Sequence, residues 1–326
     1  MTLNLVLFVV GFLMLYFSAG WLVKGSSSLA RNLGLTPLVI GLTVVAFGTS
    51  APELVVSLVS SIKGKSMIAV GNVVGSNICN IALVLGLSAV VHPIKGSRSI
   101  IQRDIPIMLG VSLYLLVISL NSNISRIEGV SLFSGIILYT FFNYYKAVKE
   151  SRIKRHDESI AFAHAAEDIK YITSKSRQFV WIAAGIIGVV VGAEIVVDAA
   201  VAIMKVFGVN EKFIGLTIVA FGTSLPELAT SVVAALRKEM DISIGNLVGS
   251  NVFNILSVLG AASMVKPIPI PGGFVQSGLL IDYLFMIFVS FLPWLMMRKT
   301  QTVTRRDGIL LLSCYVGYVL YLIIKI

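Results

Sequence analysis

Gly41-Leu42-Thr43-Val44-Val45-Ala46-Phe47-Gly48-Thr49-Ser50-Ala51-Pro52-Glu53-Leu54 returns 174 residues later, without a gap, as Gly215-Leu216-Thr217-Ile218-Val219-Ala220-Phe221-Gly222-Thr223-Ser224-Leu225-Pro226-Glu227-Leu228. A second block follows each copy in the same register: Gly71-Asn72-Val73-Val74-Gly75-Ser76-Asn77-Ile78-Cys79-Asn80, then Gly245-Asn246-Leu247-Val248-Gly249-Ser250-Asn251-Val252-Phe253-Asn254. Between Gly41–Pro93 and Gly215–Pro267, 28 of 53 positions are identical. Gly, Pro, Asn and Glu held in register over that length mark an internal duplication. What the copies keep is polar chemistry inside apolar surroundings, which points to an ion site.

Those surroundings are membrane-like. Hydrophobic residues make up 56% of the 326 and charged ones 13%, against roughly 25% charged in a soluble domain. The chain reads as ten apolar runs, about 3–23, 37–62, 67–91, 105–120, 128–146, 179–204, 212–236, 242–265, 279–297 and 308–324, most near the ~20 residues that cross a bilayer. The fourth is short. The first basic residue, Lys24, follows the first run, so the charged start of a signal peptide is missing. Cys79 and Cys314 both fall inside runs, which argues against a disulfide framework.

The net charge of +10 resolves into topology once it is distributed over the loops. Alternate loops carry Lys24 and Arg31; Lys95, Arg98 and Arg103; the basic residues of 146–177; Arg237 and Lys238; and Arg298, Lys299, Arg305 and Arg306, which is 19 of 26. The positive-inside rule then puts both termini outside. Trp21, Trp181 and Trp294 fall near the cytoplasmic ends of their runs, as interfacial anchors do. No nucleic-acid footprint is left to explain. The partners are the bilayer and inorganic cations, and the chain is expected to work as a monomer in a prokaryotic inner membrane.

Residues 1–148 and 179–326 form two five-run halves, each with one repeat (about 41–93 and 215–267). The polar stretch 149–178 between them has neither Pro nor Gly, so a helix that extends the fifth run is expected there. Five is odd, so the two copies cross the membrane in opposite directions. Inverted repeats with a midplane site at their interface are a common plan of secondary transporters. The expected fold is an all-α membrane protein of ten transmembrane helices.

Pro52 and Pro226 lie mid-run, where a proline removes an amide donor and crowds the carbonyl four residues back. Carbonyls freed in lipid are tolerated only when buried in protein or lining a cavity. Each motif therefore reads as a broken helix, eased by Gly48 or Gly222. Ala46, Ser50, Glu53 and Ser57 share one helical face, as do Asn72, Ser76 and Asn80. Gly71 and Gly75 form a small-xxx-small pair that admits a close neighbour. Hard cations prefer such oxygen sets, whereas zinc or copper would ask for His and Cys. His92, His156 and His164 lie in loops or near run ends. A charged Glu mid-bilayer costs roughly 2.5–3.5 kcal/mol on insertion scales, so two symmetric ones call for a compensating cation.

Other roles compete residue by residue. Ser50-Ala51-Pro52-Glu53 and Ser224-Leu225-Pro226-Glu227 each spell a capping box, but their mid-membrane repetition favours an ion site over a purely local role. Asn72 and Asn246 suit helix–helix hydrogen bonding as well as ion contact. Asn77 and Asn251 point off the Ser76–Asn80 face and read as packing. Glu194 and Asp198 read as structural or vestibule acids. Asp104 and Asp282 read as complements to helix N-termini.

Taken together, the duplicated motifs resemble the α-repeats of the calcium/cation antiporter superfamily, and within it the compact prokaryotic form of the sodium/calcium exchanger family. The resemblance implies an antiporter that uses Na⁺ influx to expel Ca²⁺, with no cofactor. It implies that Glu53 and Glu227 centre a cation cluster completed by Ser50, Ser76, Asn80, Ser224 and Ser250. Ala46, Thr49, Ala220 and Thr223 match positions that offer backbone carbonyls. It also implies that the first and sixth runs slide over the rest. Well-studied exchangers of this family carry Asp where this chain has Asn254, with Asn80 in the other copy, which leaves coupling ratio and driving ion open. The linker is too short for a regulatory calcium-binding domain.

A proton-coupled calcium or other cation antiporter is the nearest alternative, since carboxyls withdrawn from water can hold a proton in place of a metal ion. A passive channel could use the same ligands, but broken inverted repeats favour alternating access. Intramembrane hydrolysis would need a nucleophile with a base, and no histidine lies near Ser50 or Ser224 by run and depth.

Overall fold

The computed structural model describes residues 2–157, 172–207 and 220–325. Nearly all of that chain is helix. α1 is Thr2–Leu33; α2, Pro37–Thr49, meets α3, Ala51–Ile62, at a 46° bend; α4 is Ser66–Val91 and α5 Ile100–Ser119. The second set is α6, Arg126–Asp157; α7, Lys175–Val206; α8, Leu225–Leu236; α9, Met240–Val265; α10, Leu279–Thr300; and α11, Arg305–Lys325.

Among the described residues, seven helices are long and apolar enough to span a bilayer, and the bent α2–α3 pair makes an eighth. Two of the ten expected spans stand outside that set. α6 is 32 residues long, but its C-terminal part runs into the charged Lys-Glu-Ser-Arg-Ile-Lys-Arg stretch. Of run 212–236, residues 212–219 lie outside the described residues, and α8 is its apolar remainder. The fifth run does extend into the linker, as far as Asp157; residues 158–171 are outside the description. α5 begins five residues before the expected 105.

Four two-residue strands add to the expected all-helical fold. β1, Ile94–Lys95, pairs antiparallel with β4, Thr302–Val303; β2, Asn123–Ile124, pairs antiparallel with β3, Ile268–Pro269. They tie the loops into two separate groups. One group holds β1 and β4, the Ser27 hydroxyl donating to Glu239 Oε1 at 2.5 Å, and Ile172 N–H donating to Ser28 Oγ at 3.1 Å. The other holds β2 and β3, with Ser61 Oγ donating to the Ala262 carbonyl at 2.9 Å. These groups match the basic-rich and basic-poor loop sets of the sequence. The aromatic anchors take basic partners: Lys24 Nζ lies 5.1 Å from the Trp181 ring centre, and Arg298 5.3 Å from that of Trp294.

Small residues set the helix spacing. α1 and α7 run against each other along Gly11, Gly185, Gly188 and Gly192; a Cβ at Gly185 would collide with the Leu22 backbone. The close approach expected at Gly71 and Gly75 is seen at their counterparts. Gly245 and Gly249 of α9 pack on the backbone of α2 around Leu38–Leu42, whereas a Cβ at Gly71 or Gly75 meets no described atom within 4 Å.

One sequence expectation changes here. Asp104 directly precedes the helical segment Ile105–Ser119 but makes no cap hydrogen bond; its buried carboxylate pairs with Arg103 at 3.0 Å instead. A guanidinium presenting a matched fork is a stronger partner for a buried carboxylate than exposed helix amides. Asp282 does lie in the first turn of α10, where it also accepts from Tyr318 Oη at 3.0 Å. Glu194 and Asp198 are exposed on α7. Cys79 and Cys314 are free thiols.

Candidate cation site

The break in each motif has the same backbone geometry. Ser50 has φ −85°, ψ 10°, and Ser224 has φ −89°, ψ 3°, both in the sparsely used bridge region. Pro52 and Pro226 fall in the first turn of α3 and α8, where a missing N–H is harmless. Helical bonding resumes on either side: Leu54 N–H reaches the Ser50 carbonyl at 3.2 Å, and Leu228 N–H the Ser224 carbonyl at 3.0 Å. The capping-box reading fails at both serines, because neither side chain caps its helix. The Ser50 hydroxyl is drawn across the repeat interface and donates to Glu227 Oε1 at 3.0 Å.

The second blocks bring α4 and α9 to the same place. Ser76 Oγ donates to Glu53 Oε1 at 3.3 Å, and Ser250 Oγ to Glu227 Oε1 at 3.4 Å. Ser76 Oγ also lies 3.5 Å from Thr223 Oγ1, which joins the repeats again. Thr49 Oγ1 is 3.1 Å from Asn246 Oδ1 and 3.4 Å from the Ala46 carbonyl, and its one proton serves either. Thr49, Ser50, Glu53, Asn80, Ser224, Glu227, Ser250 and Asn254 are fully buried, with Ser76 and Ala46 nearly so. Ala220 opens the helical turn Ala220–Gly222 that leads into the second break. Thr223 is part-exposed.

Asn72 and Asn246 resolve towards helix–helix bonding. Asn72 Nδ2 donates to Ser57 Oγ at 2.9 Å and the Glu53 carbonyl at 3.2 Å; Asn246 Nδ2 donates to Ser231 Oγ at 3.0 Å. Their oxygens accept from the threonine of the opposite copy, Thr223 at 3.5 Å and Thr49 at 3.1 Å. Asn77 and Asn251, read from the sequence as packing residues, bond each other across α4 and α9 and also hold Asn80 and Asn254. A signal was present: each stands one turn before the candidate asparagine of its own helix, and both recur in register.

A set of oxygens is left over. Glu53 Oε2, Glu227 Oε2, Asn80 Oδ1, Asn254 Oδ1 and Ser224 Oγ are buried without a hydrogen-bond partner among the described residues. Buried polar atoms are normally paired, and an orphan costs about 1–3 kcal/mol. Five orphans drawn from both repeats, all able to accept and two of them carboxylate oxygens, are of the kind that hard cations prefer. Among the described residues no group of three or more His, Cys, Asp or Glu is placed to hold a metal.

Wide helical turns border the site. Gly41–Val45, Cys79–Leu85 and Asn254–Leu259 are π-helical, so Asn80 and Asn254 each sit at the opening of a π turn. Such turns cluster at functional positions because they re-aim side chains and loosen backbone bonding.

Known proteins match along the whole chain. The model of the sodium/calcium exchanger protein family fits residues 3–145 and 177–324. Inner membrane protein YrbG of Escherichia coli strain K12 is 36% identical over 324 residues, which is 99% of this chain and 96% of the relative. Sodium/calcium exchanger MaX1 of Methanosarcina acetivorans is 30% identical over 349 residues, 98% of this chain and 99% of the relative. Among solved structures, the sodium-calcium exchanger NCX_Mj soaked with zero Na⁺ and Ca²⁺ has a TM-score of 0.83 at 33% identity, covering 98% of this chain and 99% of that one.

Proposed function

This chain belongs to the sodium/calcium exchanger protein family, and from that premise we propose that it exchanges Na⁺ for Ca²⁺ by alternating access at one buried site centred on Glu53 and Glu227. It is a multi-pass membrane transporter and not an enzyme. The observation that carries the proposal is the set of five buried oxygens, drawn from both repeats, that have no partner among the described residues. Two carboxylates neutralise one Ca²⁺ or two Na⁺, so the ions compete for the same charge. Competition for one site, exposed to one side at a time, is sufficient for coupled exchange.

The ligands we assign are Glu53, Ser76 and Asn80 from the first repeat and Glu227, Ser224, Ser250 and Asn254 from the second. Ser50 and Thr223 complete the ring, with carbonyls of Ala46, Thr49 and Ala220. The halves 1–148 and 179–326 act as inverted five-helix units around this centre. The pair α1 and α7, packed glycine to backbone, is the element we assign to sliding; a smooth small-residue face suits that motion. The basic-rich loop group then faces the cytoplasm and both termini lie outside.

One observation favours a second reading, proton-coupled cation exchange. With Asn at both Asn80 and Asn254, the centre has just two carboxylates, and each could trade a proton for cation charge. Purified protein in liposomes separates the two. Ca²⁺ uptake against an outward Na⁺ gradient at equal pH is the expected result; uptake that needs a pH gradient and ignores Na⁺ would establish the second reading.

A further inference from the structure

α4 and α9 cross at four asparagines related by the repeat. Asn77 Nδ2 donates to the Asn251 carbonyl at 3.2 Å, and Asn251 Nδ2 to the Asn77 carbonyl at 3.3 Å. Asn254 Nδ2 donates to Asn77 Oδ1 at 3.1 Å, and Asn80 Nδ2 to Asn251 Oδ1 at 3.1 Å. All four residues are buried, and the remaining oxygens, Asn80 Oδ1 and Asn254 Oδ1, have no partner among the described residues.

A carboxamide is ambivalent. Turned by 180°, the same side chain offers two N–H donors where it had offered an acceptor. A cation site built on Asn must exclude the turned form, which would aim positive hydrogens at the ion. Here the exclusion follows from a backbone carbonyl, which can only accept. The Asn251 carbonyl fixes Asn77 Nδ2; Asn77 Oδ1 then faces Asn254 and accepts only from its Nδ2; Asn254 Oδ1 is left buried and without a partner among the described residues. The second copy runs the same logic from the Asn77 carbonyl through Asn251 to Asn80. We propose that Asn77 and Asn251 are positioning residues that set Asn254 and Asn80, respectively, as oxygen-presenting ligands, so that each repeat orients the amide ligand of the other.

This inference rests on the site reading above and explains a departure noted in the sequence. A carboxylate at 254 presents oxygen in either rotation and needs no orienting partner. An asparagine there does. The pairing is therefore crossed and specific: Asn77 serves Asn254, and Asn251 serves Asn80.

The test is Ca²⁺ binding to the purified full-length protein, titrated with radioactive calcium in Na⁺-free detergent solution. Asn77→Ala is expected to raise the half-saturating Ca²⁺ concentration roughly tenfold, the scale of one lost orienting hydrogen bond to a ligand. Added to Asn254→Asp, the same change is expected to cost less than about twofold, because the orientation no longer matters. Added to Asn80→Asp, it keeps its full cost. Asn251→Ala should show the mirror pattern, relieved by Asn80→Asp and not by Asn254→Asp, and it keeps the test open if one variant folds poorly. Equal losses in all backgrounds would reduce Asn77 and Asn251 to packing residues and overturn the proposal. Relief by either aspartate equally would mean that added charge alone compensates, and would overturn it too. If the unmodified protein binds no Ca²⁺, the site reading itself fails and this inference with it, a result distinct from both.

Discussion

The two repeats share their motif and most of its hydrogen bonds, and the difference at the carboxylates lies in one pair of serines. Ser50 donates to Glu227, which also receives Ser250. Ser224, its counterpart with the same backbone angles, is among the orphans, while Glu53 receives Ser76. A perfect two-fold site would give each carboxylate the same hydroxyl partners. The first repeat's serine is spent on the opposite carboxylate, and the second's is left available for an ion. The asymmetry continues at the loops. Arg237 Nη1 donates to the Gly20 carbonyl of α1 at 2.9 Å and Glu239 accepts from Ser27, while the matching positions Lys63 and Lys65 on the first repeat belong to the other loop group. The repeats are alike in motif and unequal in partners, an inequality that the alternating access proposed above would use.

The serine contrast predicts the larger effect. In cation-free detergent with chelator, Ser50→Ala should destabilise the protein by about 1–2 kcal/mol, since it removes a hydroxyl bonded to a buried carboxylate. Ser224→Ala should change cation-free stability by less than about 0.5 kcal/mol, because no bond is lost, while the stabilisation conferred by Ca²⁺ shrinks. Thermal unfolding with chelator and with Ca²⁺ measures both. Equal cation-free losses at the two serines would break the comparison.

The loop contrast predicts a smaller effect. Arg237→Gln loosens the hold on α1 without touching the buried oxygens, so the maximal exchange rate should change by a few-fold while half-saturating Ca²⁺ stays within about twofold, the scale of one part-buried hydrogen bond. Lys63→Gln, at the matching position, should leave the rate nearly unchanged if rate is limited by release of the arrangement described here. Flux at saturating and limiting Ca²⁺ separates the two parameters.

Much of this was legible in the chain. The duplication, the apolar runs, the broken helices and the shared face of Ser50, Glu53 and Ser57 follow from spacing on an ideal helix, and the helices obey it. The basic residues sorted the loops into the two groups that the short strands later join. What spacing could not supply were departures from the ideal helix and contacts between distant segments. The π turns that begin at Cys79 and Asn254 leave no periodic trace, because one extra residue per turn does not disturb an almost uniformly apolar sequence. The bend falls at Ser50 rather than at Pro52 because a proline is accommodated in the first turn of the helix it starts. Asp104 was misread, and the lesser cap reading of Ser50 fails, for one reason: a cap is a local partner, and in both places a stronger partner is available, Glu227 from the other repeat and Arg103 alongside. Asn77 and Asn251 read as packing because their function depends on which residue lies across the interface.

The central claim is that Glu53 and Glu227 form one shared cation site. Equilibrium binding of radioactive calcium to the purified protein, titrated with Na⁺, tests it most directly. The account predicts saturable Ca²⁺ binding that Na⁺ displaces competitively, and loss of that binding in folded Glu53→Gln and Glu227→Gln variants alike. Ca²⁺ binding that survives either substitution undiminished, or that Na⁺ at high concentration leaves in place, would contradict it.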